Sequence, residues 1–155
     1  MTATPWIAYG HAVEQIWKGG IDVENDSFRM VLVGSGYTPN QLTDDAWSDV
    51  SANEIANGNG YATHGKAVDL AVTRAGLVIK VDTADQTWAD STFTVKYAVI
   101  VRDADGNGAL AAGDIPLCYC QLLTEAPQTL SPSNGPLTVT IDADGVMGET
   151  IAAAP

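Results

Sequence analysis

The chain has 155 residues, enough for one domain that buries roughly 70% of its unfolded surface and needs no disulfide or metal staple. It is 46% hydrophobic and only 17% charged, which excludes a long disordered polyelectrolyte. Nineteen acidic against seven basic residues give a net charge of −12, and such a surface repels phosphate backbones and anionic lipid heads, so neither nucleic acid nor a membrane is an expected partner.

The N-terminal MTATPWIAYGHAVEQ has no basic start ahead of an apolar stretch, so no signal peptide is expected. No apolar run approaches the roughly 18 to 20 residues that span a bilayer. Residues 6–18 place Trp6, Tyr9, Val13, Ile16 and Trp17 at the spacing of a short helix ended by Gly19-Gly20, with Trp17 in the core. SFRMVLV (27–33) alternates as a strand, with Phe28, Met30 and Leu32 on one face. GSGYTPNQ (34–41) is turn chemistry. The polar stretch 42–59 predicts at most a turn of helix near Asp44–Val50, pinned by Trp47, Val50 and Ile55.

From residue 66 onward the pattern is β. AVDLAVTR (67–74) and LVIKVD (77–82) flank Ala75-Gly76 as a hairpin. Asp85–Trp88 reads as a connection and STFTVKYAVIVR (91–102) as the longest strand. IPLCYCQLL (115–123) and LTVTID (137–142) follow, separated by the Pro/Ser/Asn/Gly loop 126–136. Strands spaced 8 to 12 residues apart predict a mainly β fold: an antiparallel sandwich or jelly-roll-like barrel with a short N-terminal helix. The expected organisation is an arm and helix over 1–20, one β domain over 21–150 and a tail over 151–155.

Cys118 and Cys120 stand two apart on a strand, so they share a face and are poorly placed to bond each other. They read as small buried hydrophobes of a protein made in a reducing cytosol. GYATHGK (60–66) nearly spells a phosphate-binding loop through Gly60, Gly65 and Lys66. Ala67 occupies the Ser/Thr position, and a strand rather than a helix follows, so a glycine-rich turn is expected. No nucleophile elbow is present and neither His11 nor His64 has metal-ligand spacing to the cysteines, so enzymatic activity is not expected.

The sharpest local motif is DADGNGALAAGD (103–114). It fits the calcium-loop template with Asp103 at position 1, Asp105 at 3, Asn107 at 5, Gly108 at 6, the Ala109 carbonyl at 7 and Asp114 at 12. Strand flanks and an Asp at position 12 depart from that template. The competing reading is a hairpin loop whose Asp, Asn and Gly residues supply turn geometry. Calcium is therefore the one cofactor under consideration.

The segments DSFRMVLVGSGYTPN, DDAWSDVSANEIANGNGYATHGKAV, ADQTWADSTFTVKYAVIVRD and LTVTIDADGVM, taken in order, resemble a family of small virion structural proteins of tailed bacteriophages. The resemblance is carried by Tyr37–Asn40, Trp47–Ile55, Gly60-Tyr61, Trp88, Tyr97–Ile100 and Asp142–Val146, over about residues 20–148. His64-Gly65 stands where a glycine pair is usual, and the 103–114 loop is longer than the family pattern. The resemblance implies a non-enzymatic virion component made in the host cytoplasm. Its first implied role is a capsid decoration (cement) protein that binds the major capsid protein and further copies of itself. Two alternatives stand beside it: a tail, neck or fibre-associated virion protein, and a calcium-dependent carbohydrate-binding sandwich using exposed tryptophans. Trp47 and Trp88 lie in apolar contexts that favour burial. Trp6, Ile7 and Tyr9 of the N-terminal arm, with Pro127 and Pro132 of the long loop, are the expected interface residues. Asn53 and Glu54 are expected to bond backbone in a tight loop.

Overall fold

The computed structural model describes residues 4–154; residues 1–3 and 155, at the ends of the expected arm and tail, lie outside the described residues. The elements run β1 (Ile7–Ala8), α1 (Gly10–Trp17), β2 (Ser27–Val33), α2 (Trp47–Val50) and a 3-10 turn (Ser51–Asn53). There follow β3 (Lys66–Val68), β4 (Ala71–Ala75), β5 (Val78–Asp82), β6 (Gln86–Thr92), β7 (Tyr97–Asp103), β8 (Pro116–Gln121), β9 (Ser133–Val139) and β10 (Met147–Thr150). The fold is mainly β, with antiparallel sheets and two short helices, as a β-sandwich requires.

The main sheet has the order β1-β8-β7-β2-β3. β2 and β7 are its spine: Met30 through Val33 and Ala98 through Val101 have no exposed surface. Consecutive buried residues mean that both faces of the sheet are covered. The expected face Phe28, Met30 and Leu32 is buried, and so is the opposite one. On the first face, Lys66 pairs with Met30 and lies 5.4 Å over the Trp88 ring of β6, which places the β6–β9 ribbon there. On the second face, Tyr97 and Tyr119 pack edge to face, and Tyr37 from the excursion after β2 packs against Tyr97. A third sheet, β10-β5-β4, joins the core mainly through Val81 and Val146.

Several expected elements are corrected. The run 67–74 is two strands in two sheets: β3 pairs β2, then the chain crosses at Asp69-Leu70 and β4 pairs β5. No glycine or proline marks this crossing, so local pattern hides it. Of the expected connection Asp85–Trp88, Gln86 onward is the start of β6, which takes in Ser91-Thr92 of the expected strand 91–102 and pairs β9 through register shifts near Asp90, at φ +52°. That bulge interrupts the alternation that would reveal the strand. β9 begins inside the expected 126–136 loop, and β10 follows it as an unforeseen edge strand.

The N-terminal helix is present but shorter than expected, and a strand precedes it. β1 pairs β8 through Ile7↔Tyr119 and Ala8↔Cys118, so the arm is built into the main sheet. Trp17 is 76% exposed, correcting its expected place in the core. The buried stripe of α1 runs through Tyr9 and Ala12, and five residues further on a side chain points about 140° away.

Candidate functional site

Two regions stand out in the structure: the 103–114 loop, singled out in the sequence, and the surface around α1 and β4-β5-β10.

The loop begins where β7 ends. The Asp103 carboxylate turns into it and its Oδ2 accepts the Gly108 N–H at 2.8 Å. Gly108 has φ +85°, the conformation that lets the chain double back at this point. Asn107 Oδ1 accepts the Ala109 N–H. Asp114 closes the loop from its far end, Oδ1 accepting from Ala104 N–H at 3.2 Å and Oδ2 from Ala111 N–H at 2.7 Å. Leu110 is buried, whereas Asp105, Asn107 and Ala109 are exposed. Asp103 and Asp114 are 3% and 5% exposed. Both acids therefore do what the hairpin-loop reading demands: they bond backbone N–H groups that would otherwise be orphaned. Among the described residues no group of three or more His, Cys, Asp or Glu comes together to hold a metal.

The loop is anchored on two sides. Trp47 N–H donates to Asp114 O at 2.6 Å and Ser48 N–H to Ala112 O, so the start of α2 rests on the loop's end. His64 Nδ1 accepts the Leu110 N–H at 2.6 Å. That bond requires the neutral imidazole with its proton on Nε2. His64 sits at φ +66°, and the backbone around it is gripped by other side chains. Arg29 donates from Nε to His64 O at 2.6 Å and from Nη2 to Gly65 O at 3.0 Å. Glu54 Oε1 accepts from the Tyr61 hydroxyl and the His64 N–H, which is the backbone-bonding role expected of Glu54. Segment 60–66 is thus a turn entering β3, and Lys66 reaches the Thr87 carbonyl rather than a phosphate site.

Of the expected interface residues, Trp6 and Ile7 are half-buried and Pro127 is exposed, with Pro132 half-buried. Tyr9 is corrected: it has no exposed surface. Its hydroxyl shares a 2.6 Å hydrogen bond with that of Tyr37, which donates to Asp44 Oδ2 at 2.6 Å. Tyr9 therefore cannot touch a partner.

The exposed apolar surface lies elsewhere. Trp17, Val72, Leu77, Val78 and Ile151 are all at least 40% exposed. Val72, Trp17, Trp6, Val13, Ile16 and Met147 line an open groove of about 530 Å³ between α1 and the small sheet. A second groove, of about 610 Å³, lies against the 142–146 turn and shares Trp6 with the first. Every residue of β4 is exposed. Sequence reasoning missed this surface. Its signal is Leu77-Val78, two apolar residues beside a two-residue turn, where a hairpin tip has little to pack against.

Burial pushes the Cys118 thiol well up and the Cys120 thiol up to about 12, so both stay protonated at neutral pH. Both are free and buried, as the sequence indicated. Trp47 and Trp88, at 4% and 2% exposure, are core residues. Among the described residues no helix is long and apolar enough to cross a membrane. Comparison of the chain with known protein families, curated proteins and solved structures finds no match in any of the three.

Proposed function

We propose that this chain is a structural component of a tailed-phage virion: a capsid decoration protein that sits on the outer face of the head. It binds the major capsid protein and neighbouring copies of itself, and performs no chemistry. The resemblance over about residues 20–148 supports the class. The observation that carries the mode of action is the exposed apolar surface of Trp17, Val72, Leu77, Val78 and Ile151. A monomer gains nothing by keeping an indole and four aliphatic side chains in water, whereas covering them contributes about 25 cal/mol per Å² of apolar area. Spread over many copies on one shell, such small contacts must all break before the shell opens. The acidic remainder of the surface keeps unassembled copies apart and faces away from the packaged DNA.

The carbohydrate-binding reading loses two of its stacking platforms, because Trp47 and Trp88 are buried. A tail, neck or fibre position keeps the same class and differs in abundance. The test is a count of copies per particle with their radial position. Several hundred copies on the outer shell are expected; a handful at one vertex moves the protein to the tail, and complete absence from particles overturns the reading. Leu77→Ser with Val78→Lys is expected to lower incorporation at least about tenfold while shifting stability by less than about 1 kcal/mol, because both residues are already half in water.

A further inference from the structure

The hairpin-loop reading of residues 103–114 accounts for three of the four carboxylate oxygens of Asp103 and Asp114, each of which accepts a backbone N–H. It leaves Asp103 Oδ1. That oxygen is buried in a residue 3% exposed and has no hydrogen-bond partner. Its twin Oδ2 is held by Gly108 N–H, so the whole carboxylate faces the loop interior. Asp114 Oδ1 accepts the N–H of Ala104, the residue that follows Asp103, so the second acid closes the same end of the loop. Among the described residues no Lys, Arg or His forms an ion pair with either acid; Arg102 pairs with Asp26 instead. A buried carboxylate oxygen with neither a donor nor a counter-cation is costly to keep from water unless a cation joins it.

We propose that the 103–114 loop binds one calcium ion, with Asp103 Oδ1 and Asp114 as its buried ligands. Asp105, Asn107 and the Ala109 carbonyl complete the shell from the exposed side. The backbone already meets the template: Gly108 at position 6 turns at positive φ, and the acid at position 1 holds its N–H. Carboxylate oxygens that accept one N–H keep a second lone pair for a metal. A mixed set of carboxylate, amide and carbonyl oxygens with room for water suits calcium, whereas magnesium demands tight octahedral geometry and keeps its own water. Asp105 is exposed and stands apart from the two buried acids, so the proposal requires it to turn inward when the ion binds. With few carboxylates and a short acid at position 12, affinity falls in the weak range of about 10⁻⁴ to 10⁻³ M.

The experiment is calorimetric titration of the chelator-treated full chain with Ca²⁺, alongside terbium luminescence excited through Trp47, whose N–H is bonded to Asp114. One saturable site per chain and a melting temperature that rises with Ca²⁺ are expected. Asp103→Asn disturbs the loop itself, so the deciding variant is Asp105→Asn, a residue with no structural bond to lose. It is expected to leave the metal-free melting temperature unchanged and to weaken Ca²⁺ binding at least about fivefold, since a ligand charge is removed. No saturation at about ten times the upper affinity limit overturns the proposal, and so does an Asp105→Asn effect smaller than that. The outcome is independent of where the protein sits on a particle.

Discussion

Tyr9, Tyr37 and Tyr61 hold their protons far more tightly than free tyrosine, first because burial disfavours the phenolate. At Tyr37 the bonds to Asp44 and Tyr9 push the same way, and at Tyr61 the Glu54 carboxylate does. Cys118 and Cys120 are shifted upward by burial too. Each group has a higher proton affinity folded than unfolded. Its contribution is fully present below the unfolded value, about 8.5 for Cys and 10 for Tyr, and is lost as pH climbs toward the folded one. Stability is therefore expected to be level from neutral to about pH 8.5, then to fall by about 1.4 kcal/mol per pH unit for each group ionised only in the unfolded chain. Urea midpoints under reductant between pH 7 and 11 check this; a flat profile to pH 11 contradicts it. The cysteines were legible as buried from their shared strand face. The burial of Tyr9 was not, because its partner Tyr37 lies 28 residues away.

At the scale of elements, the close approach of the 60–66 turn to β2 is the tightest backbone contact that positions the candidate site. Gly65 has φ +60°, and a Cβ there would stand 2.0 Å from the Met30 carbonyl oxygen, which is backbone and cannot swing aside. Gly65→Ala is expected to destabilise the fold by more than about 2 kcal/mol and to loosen the Arg29 bonds to His64 and Gly65. Chemical denaturation measures the loss; a change below about 0.5 kcal/mol would contradict the close contact. Gly60, Gly65 and Lys66 were visible in the sequence as a turn entering a strand. That the turn exists to let a strand edge pass under it was not. The split of 67–74 into β3 and β4 was equally hidden, since Val68 and Leu70 keep alternating across a boundary where the partner sheet changes.

For the whole molecule, net charge and exposed apolar surface pull in opposite directions. Of seven basic residues, Arg29 and Arg102 are half-buried and spent on the His64 carbonyl and on Asp26, so they do little to relieve the acidic exterior. A folded chain at −12 repels itself more than an expanded one does. Raising NaCl from about 10 to 150 mM shortens the screening length from about 30 to 8 Å and is expected to raise the melting temperature. A melting temperature that falls over this range would show that ion pairs, not repulsion, dominate. The proposed contact surface remains apolar through the same change, so binding to particles is expected to survive it.

The mainly β class, the antiparallel hairpin after β4, the buried tryptophans and cysteines and the spacing of the acids from Asp103 to Asp114 were all determined by the sequence itself. Each depends on residue type and short-range periodicity, which report the polarity of a local environment. Tertiary structure alone decided that β6 pairs β9 across a distant loop, that both faces of the main sheet are covered, and that Tyr9 is inside while Trp17 is outside. It also decided which carboxylate oxygen of the 103–114 loop is left without a donor. These depend on what a side chain meets from the far end of the chain, and a pattern read along neighbours carries no record of such a meeting.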